Sequence, residues 1–186
     1  GEPEAPEAEL VRRFFEGIER FSPTLVSWNG SGFDLPVLNY RAMRHSLQAH
    51  RYWETGDEDQ SFRWNNYISR FHWRHVDLMD VLAGFQGRGR VGLDKMAQLL
   101  GLPGKLGMSG EGVWDAFLDG RIEDIRNYCE TDVVNTYLIY LRFELMRGRL
   151  TNEEHDRECD LVRTWLGAAG KPHLGEFLAA WVPAGG

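Results

Sequence analysis

The sequence predicts an α/β fold in which helices outnumber strands. Three observations carry that expectation. Two short β-rich runs, Thr24–Trp28 and Trp73–Leu78, are each followed by a helical pattern. A helical pattern over residues 121–147 dominates the second half. The composition, 42% hydrophobic and 26% charged over 186 residues, is enough for one sizeable core. Two short strands are too few for an independent sheet. The simplest expectation is that the remaining strands of the sheet would lie before Gly1.

Each element has its own reason. Residues 7–21 read as an amphipathic helix with Leu10, Val11, Phe14, Phe15 and Ile18 on one side, stopped by Ser22-Pro23. The first β-rich run leads into the loop Asn29-Gly30-Ser31-Gly32. Phe33 or Asp34 then opens a helix that tolerates Pro36 in its first turn and runs to about Leu47. Residues 48–70 are polar and aromatic without clean periodicity, and read as an insertion or flexible lobe. After the second strand come helices at about 79–85 and 93–100, the latter closed by Gly101. A Gly-rich loop to Gly112 and a short helix at 113–119 precede the long helix. Its apolar series Ile122, Ile125, Cys129, Val133, Tyr137 and Leu141 predicts the inward face. Thr151-Asn152-Glu153-Glu154 is a capping-box pattern that starts a further helix, with a short one near 174–181.

No apolar run approaches the roughly 18 residues of a membrane-spanning helix. Gly1 to Glu9 is acidic and Pro-rich, unlike a secretory signal. Cys129 and Cys159 form no CxxC, so a reducing, cytoplasmic setting is expected. The net charge of −7 argues against a protein that grips nucleic acid by bulk charge. It leaves room for an acidic site that gains positive charge from bound ions.

The residues with chemical potential are few. Tyr128 and Asp132 are four apart on one face of the long helix. A second carboxylate, Asp34, follows the strand and the Gly-rich loop, though Asp is also a routine helix cap. Asp77 ends the second strand, where bonding to nearby backbone is the expected role ahead of ion ligation. Residues 51–75 interleave bases with aromatics, among them Arg51, Trp53, Arg63, Trp64, Arg70 and Phe71. Such a set can stack and neutralise a single strand, with Trp64 and Arg70 as candidates, or it can build a small satellite core. Arg88, Arg90 and Lys105 sit in loops that could touch phosphate, with solvated loops as the plainer alternative. The six histidines show no HExxH or paired-ligand spacing.

Taken together, Trp28-Asn29-Gly30-Ser31-Gly32-Phe33-Asp34-Leu35-Pro36 and Tyr128-Cys129-Glu130-Thr131-Asp132-Val133 resemble the second and third motifs of a DEDDy 3′–5′ exonuclease. That branch belongs to the DnaQ-like, ribonuclease-H-like superfamily. The likeness is to the proofreading exonuclease domain of family B DNA polymerases and to stand-alone bacterial proteins related to it. His75-Val76-Asp77-Leu78 and the run from Leu93 to Gly101 resemble the same domain. Asn127 stands where the histidine branch has its histidine, so Tyr128 places the chain in the tyrosine branch.

The resemblance implies a three-layer fold and 3′–5′ hydrolysis of single-stranded DNA or RNA ends with two divalent cations, Mg²⁺ or Mn²⁺. It implies Asp34 and Asp132 as metal ligands, Tyr128 as the residue that orients the attacking water, and Asn29 and Phe33 at the substrate. A phenol of pKa ~10 is a poor base at neutral pH, so orientation is its natural role. The first motif, an Asp-x-Glu at a strand end, has no match upstream of Asn29. Residues 1–150 are therefore expected to form an N-terminally incomplete exonuclease-like domain, with 151–186 as its helical extension. The expected consequence is a metal site that does not hold both ions tightly. The alternative expectation is a non-catalytic nucleic-acid-binding or interaction module with the same fold. No membrane partner is expected.

Overall fold

The computed structural model describes residues 5–181. The chain divides into two compact units between Arg90 and Val91.

The first unit begins with helix α1 (Glu7–Phe21), whose Val11, Phe15 and Ile18 are buried at the spacing of one helical face. Ser22 ends it in the left-handed conformation at φ 42°, its N–H donating to the Ile18 carbonyl. Pro23 follows and cannot continue a helix. Strand β1 (Leu25–Ser27) comes next, then helix α2 (Asp34–Arg44) and the single turn α3 (His50–Trp53). Strand β2 (His75–Asp77) pairs with β1 in parallel, in the register Leu25↔His75, Val26↔Val76 and Ser27↔Asp77. Helix α4 (Leu78–Leu82) follows directly. These are the two strands among the described residues.

Residues 48–70 depart from the expected flexible lobe. Tyr52, Phe62 and Tyr67 are buried with Val11, Phe15, Ile18, Leu35 and Ala42, so this aperiodic stretch supplies three of the eight residues of that core cluster. Periodicity is absent because a single turn and bends deliver these rings one at a time. The Tyr67 hydroxyl donates to the Pro23 carbonyl at 2.6 Å. The guanidinium groups of Arg51 and Arg74 lie 4.3 and 3.7 Å from the centre of the Phe62 ring. The core-building expectation thus holds for this part of the segment, though the rings join the main core of the unit rather than a satellite, while Trp64 and Phe71 stay exposed.

The second unit is helical. Helices α5 (Leu93–Leu99) and α6 (Val113–Leu118) pack on α7 (Ile122–Met146), as do α8 (Asn152–Ala168) and α9 (Pro172–Ala180). Its core gathers Val134, Leu138, Leu141, Cys159, Leu166, Leu174, Phe177 and Trp181. The capping box on α8 forms as its pattern predicts, with Thr151 Oγ1 accepting from Glu154 N and the Glu154 carboxylate accepting from Thr151 N.

The expected inward face of α7 needs correction. Cys129 is exposed, and Val133 and Tyr137 are 67% and 40% exposed. The buried row is Thr131, Val134, Asn135, Leu138 and Leu141, also spaced by three and four. Two of its members are polar. Thr131 donates to the Tyr128 carbonyl of its own helix, and Asn135 donates to the Gly104 carbonyl at 2.9 Å, so neither reads as apolar in the sequence.

Candidate functional site

In the first unit the loop between β1 and α2 is built around close approach. Asn29 adopts φ 65°, a left-handed conformation that Asn tolerates better than most residues. A Cβ at Gly30 would stand 2.4 Å from Ser27 Oγ, and one at Gly32 would stand 2.5 Å from Asn29 Oδ1. Both positions exclude any larger residue unless the loop shifts. The N–H groups of Gly32 and Phe33 both donate to the Asn29 carbonyl, and Leu35 N donates to Gly30 O.

Asp77 holds this loop from β2. Its Oδ1 accepts the Asn29 N–H and its Oδ2 accepts the Ser31 N–H, each at 2.9 Å. Beside it, His75 Nε2 lies 2.8 Å from Ser27 Oγ. Burial pushes the His75 imidazole below its ordinary value. The loop so fixed delivers Phe33, 64% exposed, and then Asp34 as the first residue of α2. Asp34 is the first residue of α2 rather than its N-cap, and its carboxylate accepts a hydrogen bond from its own backbone N–H. Partial burial of its carboxyl raises the Asp34 pKa, and the Asp77 charge adds to the rise. The residue itself is exposed, which keeps that effect modest.

In the second unit Tyr128 and Asp132 lie one turn apart on α7. The loop before α6 is tied beside them. Asp94 Oδ1 accepts the Lys105 N–H at 2.8 Å, its Oδ2 accepts from Gln98 Nε2 at 3.1 Å, and Gly104 turns at φ 67°. Lys105 Nζ consequently sits 6.0 Å from the centre of the Tyr128 ring. Burial raises the Asp132 pKa, while the Tyr128 hydroxyl and Lys105 pull it back down. Burial first, and then the Asp132 carboxylate, push the Tyr128 phenol well above its ordinary range. Asp132 Oδ1 is buried and has no hydrogen-bond partner. Such an atom carries a desolvation cost of about 1–3 kcal/mol until something binds it.

The sequence-predicted residues therefore fall into two sets. Asn29, Phe33 and Asp34 come together in the first unit, and Tyr128 and Asp132 in the second. Trp64 is 80% exposed, its ring approached by Arg63. Arg70 pairs with Asp80 at 3.0 Å, beside the Phe85 ring, and Arg90 pairs with the same carboxylate. Three contributors went unread in the sequence. Asp94 anchors the Lys105 loop, and Lys171, which precedes α9, and His173 in its first turn grip Glu130, inside the Tyr128–Asp132 motif. Only the acidic residue within a resembling run signalled the first.

Carboxylate oxygens are the donors that Mg²⁺ and Mn²⁺ prefer, and the unpartnered Asp132 Oδ1 fits that role. Asp34 offers a second carboxylate, whereas both Asp77 oxygens are engaged by backbone. Among the described residues, neither unit gathers three His, Cys, Asp or Glu side chains able to hold an ion.

A family model described as a predicted 3′–5′ exonuclease related to the exonuclease domain of PolB matches residues 1–181, and the chain belongs to that family. No curated protein and no solved structure matches the chain. Among the described residues no helix is long and apolar enough to cross a membrane.

Proposed function

We propose that this chain is a tyrosine-branch 3′–5′ exonuclease of the ribonuclease-H-like superfamily, acting on single-stranded DNA or RNA ends. The observation that carries the reading is the buried, unpartnered Asp132 Oδ1 one helical turn from a protonated Tyr128. Family membership supplies the context. Residues 151–181 then extend the same domain through their packing on α7.

Asp132 and Asp34 would hold two divalent cations, Mg²⁺ or Mn²⁺. When bound, such ions lower the pKa of the attacking water and offset charge on the departing 3′ oxygen. Two aspartates are fewer ligands than two ions need, so the reading calls for further oxygen donors. The Tyr128 phenol stays protonated at neutral pH, donating to Asp132 and keeping its oxygen as an acceptor, which suits orienting a water rather than deprotonating it. Lys105 adds positive charge beside that pair. Phe33, exposed next to Asp34, offers a face on which a base can stack, and Asn29 shapes the loop beneath it. Trp64 offers another exposed ring, and Arg70 reaches a substrate phosphate only by sharing or leaving Asp80.

The second reading is a non-catalytic nucleic-acid-binding module with the same fold. It is favoured by the lack of a three-ligand cluster within either unit among the described residues. One assay separates them. Oligonucleotides of DNA and RNA, labelled at the 5′ end, are incubated with the chain and Mg²⁺ or Mn²⁺. Stepwise shortening from the 3′ end that disappears in Asp132→Asn supports the enzyme. Retarded but intact oligonucleotide supports the binding module.

A further inference from the structure

The second unit contains a cavity of about 550 Å³ beside Tyr128, within the ~300–1,000 Å³ range of small-molecule sites. Three separate segments wall it. Met108 and Ser109 come from the loop before α6, Asn127 and Tyr128 from α7, and His173 and Glu176 from α9. The α9 wall is held in place by one carboxylate. Glu130 accepts from Lys171 Nζ at 2.7 Å and lies 2.8 Å from His173 Nε2. Nothing in the exonuclease motifs uses α9, yet the motif's own Glu130 fastens it here.

The lining chooses among ligands. Its Arg121 is paired with Asp124 at 3.3 Å, and Glu176 adds a further negative charge. A phosphate would find no surplus of positive charge. A neutral, flat heterocycle would find the Asn127 amide, with donors and an acceptor, the Ser109 hydroxyl, the Met108 thioether and the Tyr128 side chain. That set matches a nucleobase, which needs edge hydrogen bonds and an apolar or aromatic face.

We propose that this cavity receives the nucleobase of the substrate's terminal nucleotide and gives the protein a preference among bases. Placing that base at the 3′ end rests on the exonuclease reading. The cavity's capacity to hold a nucleotide does not, so the two fail separately.

The test uses the full chain with EDTA present, so no ion contributes. Binding of the uncharged nucleosides adenosine, cytidine, guanosine and uridine is measured by calorimetry or ligand-observed NMR, for wild type, Ser109→Trp and Asn127→Leu. Ser109 is exposed on a loop, so the tryptophan fills the cavity without touching the core. The expected result is binding of at least one nucleoside in preference to the others, weakened about tenfold or more by each variant, near 1.4 kcal/mol. Circular dichroism confirms that each variant is folded. Failure of all four nucleosides to bind, or binding untouched by both variants, overturns the proposal. Selective binding that both variants weaken, in a chain without nuclease activity, retains the pocket and removes the exonuclease reading. Nuclease activity without such binding does the reverse.

Discussion

Asp77 accepts the backbone N–H of Asn29 at 2.9 Å, across the parallel pair of three-residue strands. With the matching bond to Ser31, it makes one carboxylate the fastener of the loop that presents Asp34.

Asp77→Asn should therefore loosen the loop without changing its size. An amide has one oxygen and one NH₂ group, so one of the two backbone donors must face another donor. Losing a buried charge-assisted bond costs roughly 2 kcal/mol, which urea unfolding would read as a lower midpoint at unchanged slope. Hydrogen exchange should quicken at Asn29 and Ser31. Unchanged protection at both amides would refute the fastening role.

Asp132→Asn should stabilise the protein while abolishing any ion-dependent activity. Wild type keeps a carboxylate in partial burial with one unpartnered oxygen. Burial raises its folded pKa above the unfolded value, so the charged form is penalised on folding. That penalty is full above the folded pKa and fades as the pH falls toward the ordinary 3.8. The variant's gain, about 1 kcal/mol, should be largest near neutrality and vanish in acid. Thermal melts across that pH range check it, and an advantage that grows in acid would contradict the sign.

Tyr128→Phe should lower kcat more than KM on a single-stranded oligonucleotide. The role assigned to the hydroxyl is orientation, worth about 10²-fold when a reacting group is misplaced. Because the phenol is held above its ordinary range, wild-type rates should show no titration of this group approaching pH 10. An alkaline limb near pH 10 that vanishes in the variant would count against a protonated Tyr128.

Glu130→Gln should free α9 from α7. Lys171 foremost, and then His173, hold the Glu130 carboxyl below its ordinary value. The resulting stability is present above the unfolded value near 4.5 and is lost as the pH falls through the lowered folded value. The wild-type advantage over the variant should thus shrink in acid and under high salt, since the pair is partly exposed. Proteolysis at residues 169–171, between α8 and α9, gives a direct readout, and equal cleavage of both proteins would argue against the latch.

Helix ends were legible because they depend on local chemistry. Ser22-Pro23 stops α1, Thr151 and Glu154 start α8, and Gly101 at φ 72° follows α5. The strands were legible as β-rich runs beside loop signals. The core was less so. On α7, Ile125, Cys129 and Val133 suggest the wrong face, because Thr131 and Asn135 pack inward, the Thr131 hydroxyl and the Asn135 NH₂ group donating to backbone carbonyls. Tyr52, Phe62 and Tyr67 reach a common core from turns that leave no period in the sequence. For the candidate site, Asp34, Tyr128 and Asp132 were visible as types at a spacing. Lys171 and His173 were not, because they lie 41 and 43 positions from Glu130 and meet it only when the chain folds back.

The outward-facing Cys129 has a practical consequence. It stands between Tyr128 and Glu130 as an exposed residue, whereas Cys159 is buried and its thiol is pushed up by that burial. A maleimide dye at modest pH should therefore attach at one position and spare the other. The chain comes with its own address for a fluorophore, placed one residue from the tyrosine whose surroundings an observer would most want to watch.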